Sequence, residues 1–448
     1  MSLSLAPTSR SLTTTSRFLV GVDLLKTCCL VFVGIFFLTS VCLAKRTATP
    51  VQAASESKPR VLVIAVNGAE WDFLRPLLIR GEMPNLKRVV ENGVYGKLRT
   101  ISAPNCPKVF TTFFTSVAPE QSGITGFVVG GQTASTHMLR SEPIWSILSK
   151  NGITVGMANV PATFPAMPVN GYMISGMLTR GKGCEDGVLC APNLSEVEGG
   201  NPVYPTGLIP ELEKNVGDFS IDCSRMPNLE DLQGKESQEI NDWLAGVQRI
   251  REQQTKLFGY LLRTHPTDFT MFDQSCEDRV GHWLYPIQSH NVGYNPKLHT
   301  VRTEAFPDQY RAFDKVLGSI LQYVDKNTTL FILSDHGIKP LREFGDEHGH
   351  AGHGLTPSTT PVIAKHDFPD ADDVPGVFIA MGPGIRKNVE LIGWVASVFD
   401  VAPTILHIYG IEAPKQMQGH VLSEIFESTA RKETAGVGMG SAGHSVKR

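Results

Sequence analysis

Short apolar runs alternate with longer stretches of helical periodicity over most of this chain. The apolar runs predict buried strands at residues 60–66, 96–101, 153–160, 171–178, 269–272, 330–333 and 377–380. Apolar residues spaced three and four apart predict helices at residues 71–80, 83–92, 108–116, 236–263, 310–324 and 395–409. Because strands that alternate with helices are typical of a sheet covered on both faces, the pattern predicts the α/β class with a mostly parallel sheet.

The N-terminal segment has a different pattern. Residues 27–44 are uncharged and mostly apolar, and they follow Arg10, Arg17 and Lys26. Such a run nearly spans a bilayer core, so we interpret residues 1–44 as an export signal or a membrane anchor, with membrane contact through residues 18–44. Small residues at Ala44 and Ala53 favour cleavage, whereas the length of the run favours an anchor. Either interpretation predicts that the remaining chain works outside the cytoplasm, in the periplasm, secreted or anchored.

Composition divides the rest of the chain. Residues 45–59 are predicted as a linker, residues 60–428 as one domain and residues 429–448 as a disordered tail. Residues 179–235 lose periodicity, which predicts an inserted cap over the site. Cys184, Cys190 and Cys223 lie there, so one local disulfide is expected in an oxidising compartment, with its pairing open. The net charge of −3 argues against a nucleic-acid-binding surface.

Candidate metal ligands follow two of the predicted strands. Asp335 and His336 end the run 330–333, where open α/β sheets place their ligands. They offer an oxygen and a nitrogen suited to a zinc-like ion, although a solvated strand end would look the same. Asp278 and His282 are four residues apart, which on a helix places both on one face. The alternative interpretation is that Asp278 forms an ion pair at the protein surface and that His282 has a structural partner.

A third cluster supplies further imidazoles. Three histidines, His348, His350 and His353, fall within six residues. This spacing is typical of a metal-binding loop, and a mobile His-rich loop is the alternative interpretation. Together with the other candidates they would suffice for a pair of metal sites, the usual device for displacement at phosphorus.

Several motifs in one order resemble a known family, the type I phosphodiesterases and nucleotide pyrophosphatases of the alkaline phosphatase superfamily. The resemblance runs from about residue 60 to 425 and leaves residues 179–235 uncovered. Its motifs are residues 61–72 (VLVIAVNGAEWD), 83–86 (MPNL), 106–119 (CPKVFTTFFTSVAP), 159–161 (NVP), 278–282 (DRVGH), 334–337 (SDHG), 382–385 (GPGI) and 400–404 (DVAPT). It implies an alkaline-phosphatase-like α/β fold with two divalent metals, zinc being the expected ion.

The resemblance implies roles for particular residues. Asp278, His282 and a later histidine would bind one metal, and Asp335 and His336 would help to bind the other. The later histidine is His353 in our first assignment. The alternatives are His366 and His350.

Three positions depart from the family pattern, and the first two matter more. Asn67 stands where the first strand normally ends in an aspartate ligand, which should weaken one metal site, and Asp72 is too far into the next helix to replace it. Cys106 stands at the nucleophile position, which is normally Thr or Ser. Pro107 and Phe110 do not match the pattern that sulfatases need to convert such a cysteine to formylglycine. Ser122 replaces a usual histidine.

The expected function is a metal-dependent hydrolase of phosphate esters, with diesters or nucleotide pyrophosphates as the small phosphorylated substrates. Cys106 would attack phosphorus and form a covalent intermediate. Lys108 would neutralise phosphate charge, or is simply a solvated lysine. Two alternatives stay open: an inactive or altered homologue that acts in binding, and a sulfatase-like or phosphotransferase-like enzyme.

Overall fold

A computed structural model describes residues 58–182, 192–223, 236–286, 296–340, 364–365 and 372–427. The predicted leader 1–44, the tail 429–448 and the candidate ligands His350, His353 and His366 lie outside these ranges. Across the described ranges, no helix is both long enough and apolar enough to cross a membrane.

The strands are short and the helices vary widely in length. The strands are β1 (Arg60–Val66), β2 (Val94–Arg99), β3 (Val128–Val129), β4 (Gln132–Thr133), β5 (Val155–Asn159), β6 (Gly171–Gly176), β7 (Val203–Tyr204), β8 (Phe269–Gln274), β9 (Thr328–Leu333), β10 (Lys339–Pro340), β11 (Ala364–Lys365), β12 (Gly376–Met381) and β13 (Val389–Ser397). The α-helices are α1 (Trp71–Ile79), α2 (Pro84–Glu91), α3 (Cys106–Thr115), α4 (Pro119–Ser122), α5 (Ile144–Lys150), α6 (Ile209–Asn215), α7 (Glu236–Thr264), α8 (Cys276–Leu284), α9 (Pro296–Leu321) and α10 (Val401–Ile408).

Nine strands form one sheet in the order β13-β2-β12-β9-β1-β8-β5-β6-β7. The five central strands from β9 to β6 are all parallel to their neighbours. Strand β12 is antiparallel to β2 and β9, and β7 is antiparallel to β6. The predicted α/β class with a mostly parallel sheet is therefore confirmed.

Helices cover both faces of the sheet. Leu62 and Ile64 of β1 belong to a core with residues of α1, α2, α7, α8 and α9, whereas Val61 and Val63 belong to a second core with α3, α5 and α10. The alternation is the period of two expected of a strand buried on both sides. It also explains why these strands appear in the sequence as continuous apolar runs.

The register brings three polar positions together. Ala65 of β1 pairs with Leu333 of β9 and with Asp273 of β8. Ala65 and Leu333 face the core that α3 covers, so Asn67 and Asp335, two residues further on, emerge on that same face. The ends of three adjacent strands thus place polar residues on the face of the sheet that α3 covers.

The described part of the predicted insertion extends the sheet. Strand β7 pairs with β6, and Leu212, Phe219 and Ile221 are buried in the core that contains α7. The sequence predicted a local disulfide among Cys184, Cys190 and Cys223, whereas the observed disulfide joins Cys223 to Cys276, the first residue of α8, across 53 residues. The bridge is therefore not local to the insertion, while Cys184 and Cys190 lie outside the described residues. A capping role for 179–235 stays a prediction.

One predicted helix was partly wrong. Residues 395–397 end strand β13, and the α-helix begins only at Val401. Short apolar runs fit either element. Here β13 pairs in parallel with β2 at the sheet edge, which is a tertiary contact that the local pattern does not contain.

Candidate active site

Cys106 is the first residue of α3 and is 1% exposed. The side chain of Asn105 caps the helix by accepting a hydrogen bond from the backbone N–H of Lys108 at 3.2 Å. The partial positive charge of a helix N-terminus favours negative charge on a sulfur placed there. The fold thus presents the Cys106 thiol at the ends of the central strands.

Three neighbours surround the thiol. Asn67 Nδ2 donates a hydrogen bond to Cys106 Sγ at 3.0 Å, and His336 Nε2 lies 3.9 Å from the same sulfur. Asp335 Oδ2 lies 3.1 Å from His336 Nε2. One ligand atom each from Cys106, Asp335 and His336 falls within 4.8 Å of the others. The predicted nucleophile and one predicted pair of metal ligands therefore form a single buried cluster.

The orientation of His336 suits a cation. Its Nδ1 lies 3.0 Å from the carbonyl oxygen of Gly337, which can only accept, so the proton belongs on Nδ1. In the neutral ring Nε2 then keeps its lone pair and faces the Asp335 carboxylate. A backbone carbonyl that fixes the tautomer in this way is typical of a metal-binding histidine.

The second predicted pair lies on α8. Asp278 and His282 share one helix face as predicted, with His282 Nε2 3.4 Å from Asp278 Oδ1. Gly68 links this helix to the first cluster, because its N–H donates to Asp335 Oδ1 at 3.3 Å. A Cβ added to Gly68 would lie 2.9 Å from Asp278 Cα. The two predicted metal half-sites are therefore neighbours across the turn after β1.

Burial and like charges dominate the electrostatics. Burial raises the pKa of Asp335 to about 6, with His336 opposing and Asp278 reinforcing the shift. Burial, then Asp335 and Asp278, raise the pKa of the Cys106 thiol well above its usual range, whereas Arg279 and Asn67 lower it. The protein groups by themselves therefore keep the Cys106 thiol protonated at neutral pH.

The other predicted residues have local partners. Lys108 is half-buried, with its Nζ 3.4 Å from the carbonyl oxygen of Ser102. Ser122 is buried and its hydroxyl donates to the Pro119 carbonyl at 3.0 Å, so it supports a turn. Asp72 is largely exposed and pairs with Lys339 Nζ at 2.7 Å. The poor fit of Asp72 as a substitute ligand is consistent with that position.

Sequence reasoning missed Asp273. It lies in β8, is 1% exposed, and neither carboxylate oxygen accepts a hydrogen bond within the described ranges. Burial and then the charge of Asp335 raise its pKa well above the usual range. The signal was available, because Asp273 follows the apolar run 269–272 just as Asp335 follows 330–333.

The donor set fits a divalent metal. The Asn67 Oδ1 atom is buried and accepts no hydrogen bond from the described residues, as for both oxygens of Asp273. Buried oxygens without donors are costly unless a cation or proton satisfies them. Cys106, Asp335 and His336 offer a sulfur, an oxygen and a nitrogen within 4.8 Å of one another, and together with the Asn67 oxygen they make the mixed donor set that zinc prefers.

A family model described as "Type I phosphodiesterase / nucleotide pyrophosphatase" matches residues 61–367. The chain belongs to this family. The mostly parallel sheet and its helices are the alkaline-phosphatase-like fold expected of a type I phosphodiesterase. The match begins in β1 and ends just after β11, so it includes the Cys106 cluster and α8.

Relatives of this phosphodiesterase family member are distant. An extracellular sulfatase SULF-1 homolog of Drosophila melanogaster is 25% identical over 34% of this chain and 14% of its own length. GPI ethanolamine phosphate transferase 2 of Kluyveromyces lactis is 23% identical over 30% of this chain and 16% of its own length. The chain spans less than a quarter of the length of the relatives it matches.

Three solved structures are similar to this chain, each at a TM-score below 0.5. Human ectonucleotide pyrophosphatase/phosphodiesterase 5 has a TM-score of 0.46 and 16% identity, and the alignment covers 82% of this chain and 100% of that chain. The murine protein of the same name, in complex with AMP, has a TM-score of 0.46 and 13% identity, covering 83% and 100%. A 2-O GAG sulfatase has a TM-score of 0.47 and 12% identity, covering 82% and 73%.

Proposed function

We propose that this protein is a metal-dependent phosphoric ester hydrolase that acts on phosphodiesters or nucleotide pyrophosphates through a covalent intermediate on Cys106. The observation that supports this best is the buried cluster in which Cys106, Asp335 and His336 offer ligand atoms within 4.8 Å of one another. Membership of the phosphodiesterase family supports the same reaction class.

The proposed reaction uses Cys106 twice. Its thiol loses a proton, the sulfur attacks phosphorus, and an S–P bond forms while the P–O bond to the leaving group breaks. The leaving oxygen takes up a proton. Water then attacks phosphorus, the new P–O bond forms, and the S–P bond breaks to return the thiol. Asn67 Nδ2, 3.0 Å from the sulfur, stabilises the thiolate before attack and after release.

Two divalent ions, zinc being the expected species, complete the proposed site. Asp335, His336 and Asn67 would hold one of them, and Asp278 and His282 would hold the other with a late histidine, His353 first and His366 or His350 otherwise. When bound, such ions supply positive charge for the thiolate and the phosphate oxygens. Lys108, near the start of α3, is the proposed side chain for outer phosphate oxygens.

A sulfatase-like activity is the second candidate, because an extracellular sulfatase homolog is among the relatives. Formylglycine at position 106 would be its sign. Pro107 and Phe110 argue against that modification, and an intact thiol found by mass spectrometry would exclude it.

Export to an oxidising compartment is part of the proposal. The disulfide between Cys223 and Cys276 supports it, because such bonds persist outside the reducing cytosol. The apolar residues 27–44 supply the export signal or the anchor.

The test combines metal analysis with turnover. Full-length wild type, Cys106→Ala and Cys106→Ser are purified, their metal content is measured, and hydrolysis of a nitrophenyl phosphodiester is followed with added zinc or manganese. Lys150→Ala, an exposed position on α5, is the matched surface control. We expect bound metal in the wild type, no turnover by Cys106→Ala, and slow turnover by Cys106→Ser.

The opposite results would point elsewhere. A protein without stoichiometric metal or turnover would be an altered homologue that acts in binding. Metal-dependent turnover that survives Cys106→Ala would keep the hydrolase and remove its proposed nucleophile.

A further inference from the structure

A buried arginine lies beside the candidate active site with no role in the chemistry above. Arg279 follows Asp278 on α8 and is 6% exposed. Its Nη2 donates to Asp222 Oδ2 at 3.0 Å, and Asp222 belongs to the insertion. The contact joins two segments separated by 57 residues.

Asp222 is held firmly in place. Its Oδ1 accepts hydrogen bonds from Ser275 Oγ at 2.7 Å and from the backbone N–H of Cys223 at 2.8 Å. The Cys223–Cys276 disulfide fixes the same backbone to the first residue of α8. The preceding carbonyl, of Ile221, accepts from Asn159 Nδ2 at 2.6 Å. Asp222 therefore fixes the direction of the Arg279 guanidinium.

The guanidinium also acts on the catalytic cluster. Burial lowers the pKa of Arg279. The charges of Asp222, Asp278 and Cys106, in decreasing order, raise it, and the net shift is upward. The charge of Arg279 in turn lowers the pKa of the Cys106 thiol. Geometry places it at the edge of the site, because Arg279 directly follows the proposed metal ligand Asp278 on α8, and a Cβ on Gly68, next to Asn67, would lie 2.9 Å from Asp278 Cα.

Most of the hydrogen-bonding capacity of the Arg279 guanidinium is unused by the described residues. Within the described ranges its guanidinium donates to Asp222 alone. A guanidinium has several N–H donors in one plane, arranged to bind two oxygens of a phosphate or sulfate at once. A permanent cation buried beside the nucleophile would also offset charge on a tetrahedral oxyanion.

A structural ion pair is the competing explanation. The second buried arginine, Arg251, is an example: it donates to Glu277 Oε1 at 2.8 Å and to Gln309 Oε1 at 3.1 Å, and it belongs to the helix layer. Arg279 differs because Asp222 satisfies one side of the guanidinium only, and because it directly follows a proposed metal ligand on α8.

We propose that Arg279, oriented by Asp222, binds the non-bridging oxygens of the phosphate or sulfate group of the substrate beside Cys106. The proposal rests on the proposed function only in taking that oxyanion to be part of the ester that is cleaved. It gives the insertion a part in substrate binding through Asp222.

Binding of inorganic phosphate tests the proposal without turnover. Calorimetric titrations of the full-length, metal-loaded protein compare wild type, Arg279→Gln, Arg279→Lys and Asp222→Asn, with inorganic sulfate as a second ligand. Arg88→Gln, an exposed arginine on α2, controls for the loss of one charge.

We expect Arg279→Gln to weaken phosphate binding by about tenfold to a hundredfold, the usual effect of losing a charged hydrogen bond. Arg279→Lys keeps the charge without the planar fork and should weaken it less. Asp222→Asn should fall between wild type and Arg279→Gln, and Arg88→Gln should match wild type. Tighter binding of sulfate than phosphate, with the same dependence on Arg279, would support the proposal and indicate sulfate esters.

Two outcomes would overturn it: no saturable phosphate or sulfate binding by the wild type, or folded Arg279→Gln that binds within about twofold of wild type. If Arg279→Gln does not fold, unchanged phosphate affinity in both Arg279→Lys and Asp222→Asn overturns it equally. If the protein does not hydrolyse esters but binds phosphate in an Arg279-dependent way, the proposed hydrolase function is rejected and the anion site is retained. If it hydrolyses esters normally but binds phosphate independently of Arg279, the hydrolase function is retained and the anion site is rejected.

Discussion

Asn67 Nδ2 donates a hydrogen bond to Cys106 Sγ at 3.0 Å, so two of the residues that depart from the family pattern are direct partners. The departures are therefore coupled. An aspartate at position 67 would place a carboxylate against the sulfur and repel a thiolate, whereas the amide supplies a donor to it. Asn67 Oδ1, which accepts no hydrogen bond from the described residues, still offers an oxygen ligand.

The coupling predicts the effect of Asn67→Asp. Loss of the donor and addition of a negative charge should both raise the pKa of the Cys106 thiol. The measurement is the ultraviolet absorbance of thiolate during a pH titration of chelator-treated protein, with the Cys106→Ala signal subtracted. Asn67→Ala, which loses the donor without gaining charge, should give a smaller upward shift. A lower midpoint in Asn67→Asp would contradict the coupling.

Gly68 predicts a second substitution effect. It has a φ of +72°, and a Cβ there would meet Asp278 Cα and Cβ at 2.9 Å. Gly68→Ala should therefore push α8 away from β1, weaken metal binding at Asp278 and His282, and lower turnover. Chelator competition measures the metal affinity, and urea unfolding measures stability.

Gly81 is a matched control for this change. It has a φ of +73°, but a Cβ there would meet nothing within 4 Å. Gly81→Ala should lose only the roughly 1–2 kcal/mol cost of a left-handed alanine and keep its metal affinity. Equal losses of stability and equal metal affinity in the two variants would show that the contact between Gly68 and Asp278 is unimportant.

Local patterns predicted the parts of the site that are encoded locally. Asp335 and His336 followed from an apolar run that ends in polar residues, and Asp278 with His282 from helical spacing. Asp273 was missed because its strand was predicted to end at residue 272, whereas β8 continues to Gln274. That boundary assigned Asp273 to a loop, although the apolar run before it was a signal of the same kind as the run before Asp335.

Contacts between distant segments were beyond prediction. The pairs Arg279–Asp222 and Cys223–Cys276 join the insertion to α8 across 57 and 53 residues, and no spacing rule relates their members. The helix predicted at residues 395–409 failed for the same reason, since pairing with β2 decides that its first residues are a strand. Tertiary partners, which periodicity does not encode, decided each case.

The disulfide predicts a third effect. A disulfide between residues 53 positions apart lowers the conformational entropy of the unfolded chain, which stabilises the folded state by about 4 kcal/mol in the chain-entropy model. The double variant Cys223→Ser with Cys276→Ser should therefore have a lower free energy of unfolding by about that amount under oxidising conditions. With a reductant present, the difference from wild type should largely vanish, which urea unfolding in both conditions would measure. A difference that persists undiminished in reductant would assign the loss to packing instead.

Glu70 predicts a pH dependence that is separate from the candidate metal ligands. It is 4% exposed, accepts a hydrogen bond from Tyr285 Oη at 3.2 Å, and lies 3.7 Å from Lys339 Nζ. Burial raises its pKa from 4.5 to about 7, with Lys339 opposing and Asp72 reinforcing the shift. Between these values the folded protein keeps the proton that the unfolded chain has lost. The stabilisation is therefore complete below pH 4.5 and is lost as the pH rises through about 7.

Glu70→Gln should flatten this part of the stability profile. A shift of that size corresponds to about 3 kcal/mol, so the decline in unfolding free energy across this range should shrink by up to that amount in the variant. Urea unfolding of chelator-treated protein at several pH values gives both profiles, and their difference removes the contributions of Asp335 and Asp273. Glu91→Gln, an exposed carboxylate on α2, controls for net charge and should keep the wild-type slope. Parallel profiles for wild type and Glu70→Gln would mean that Glu70 is ionised in the folded protein at mildly acidic pH, held so by Lys339.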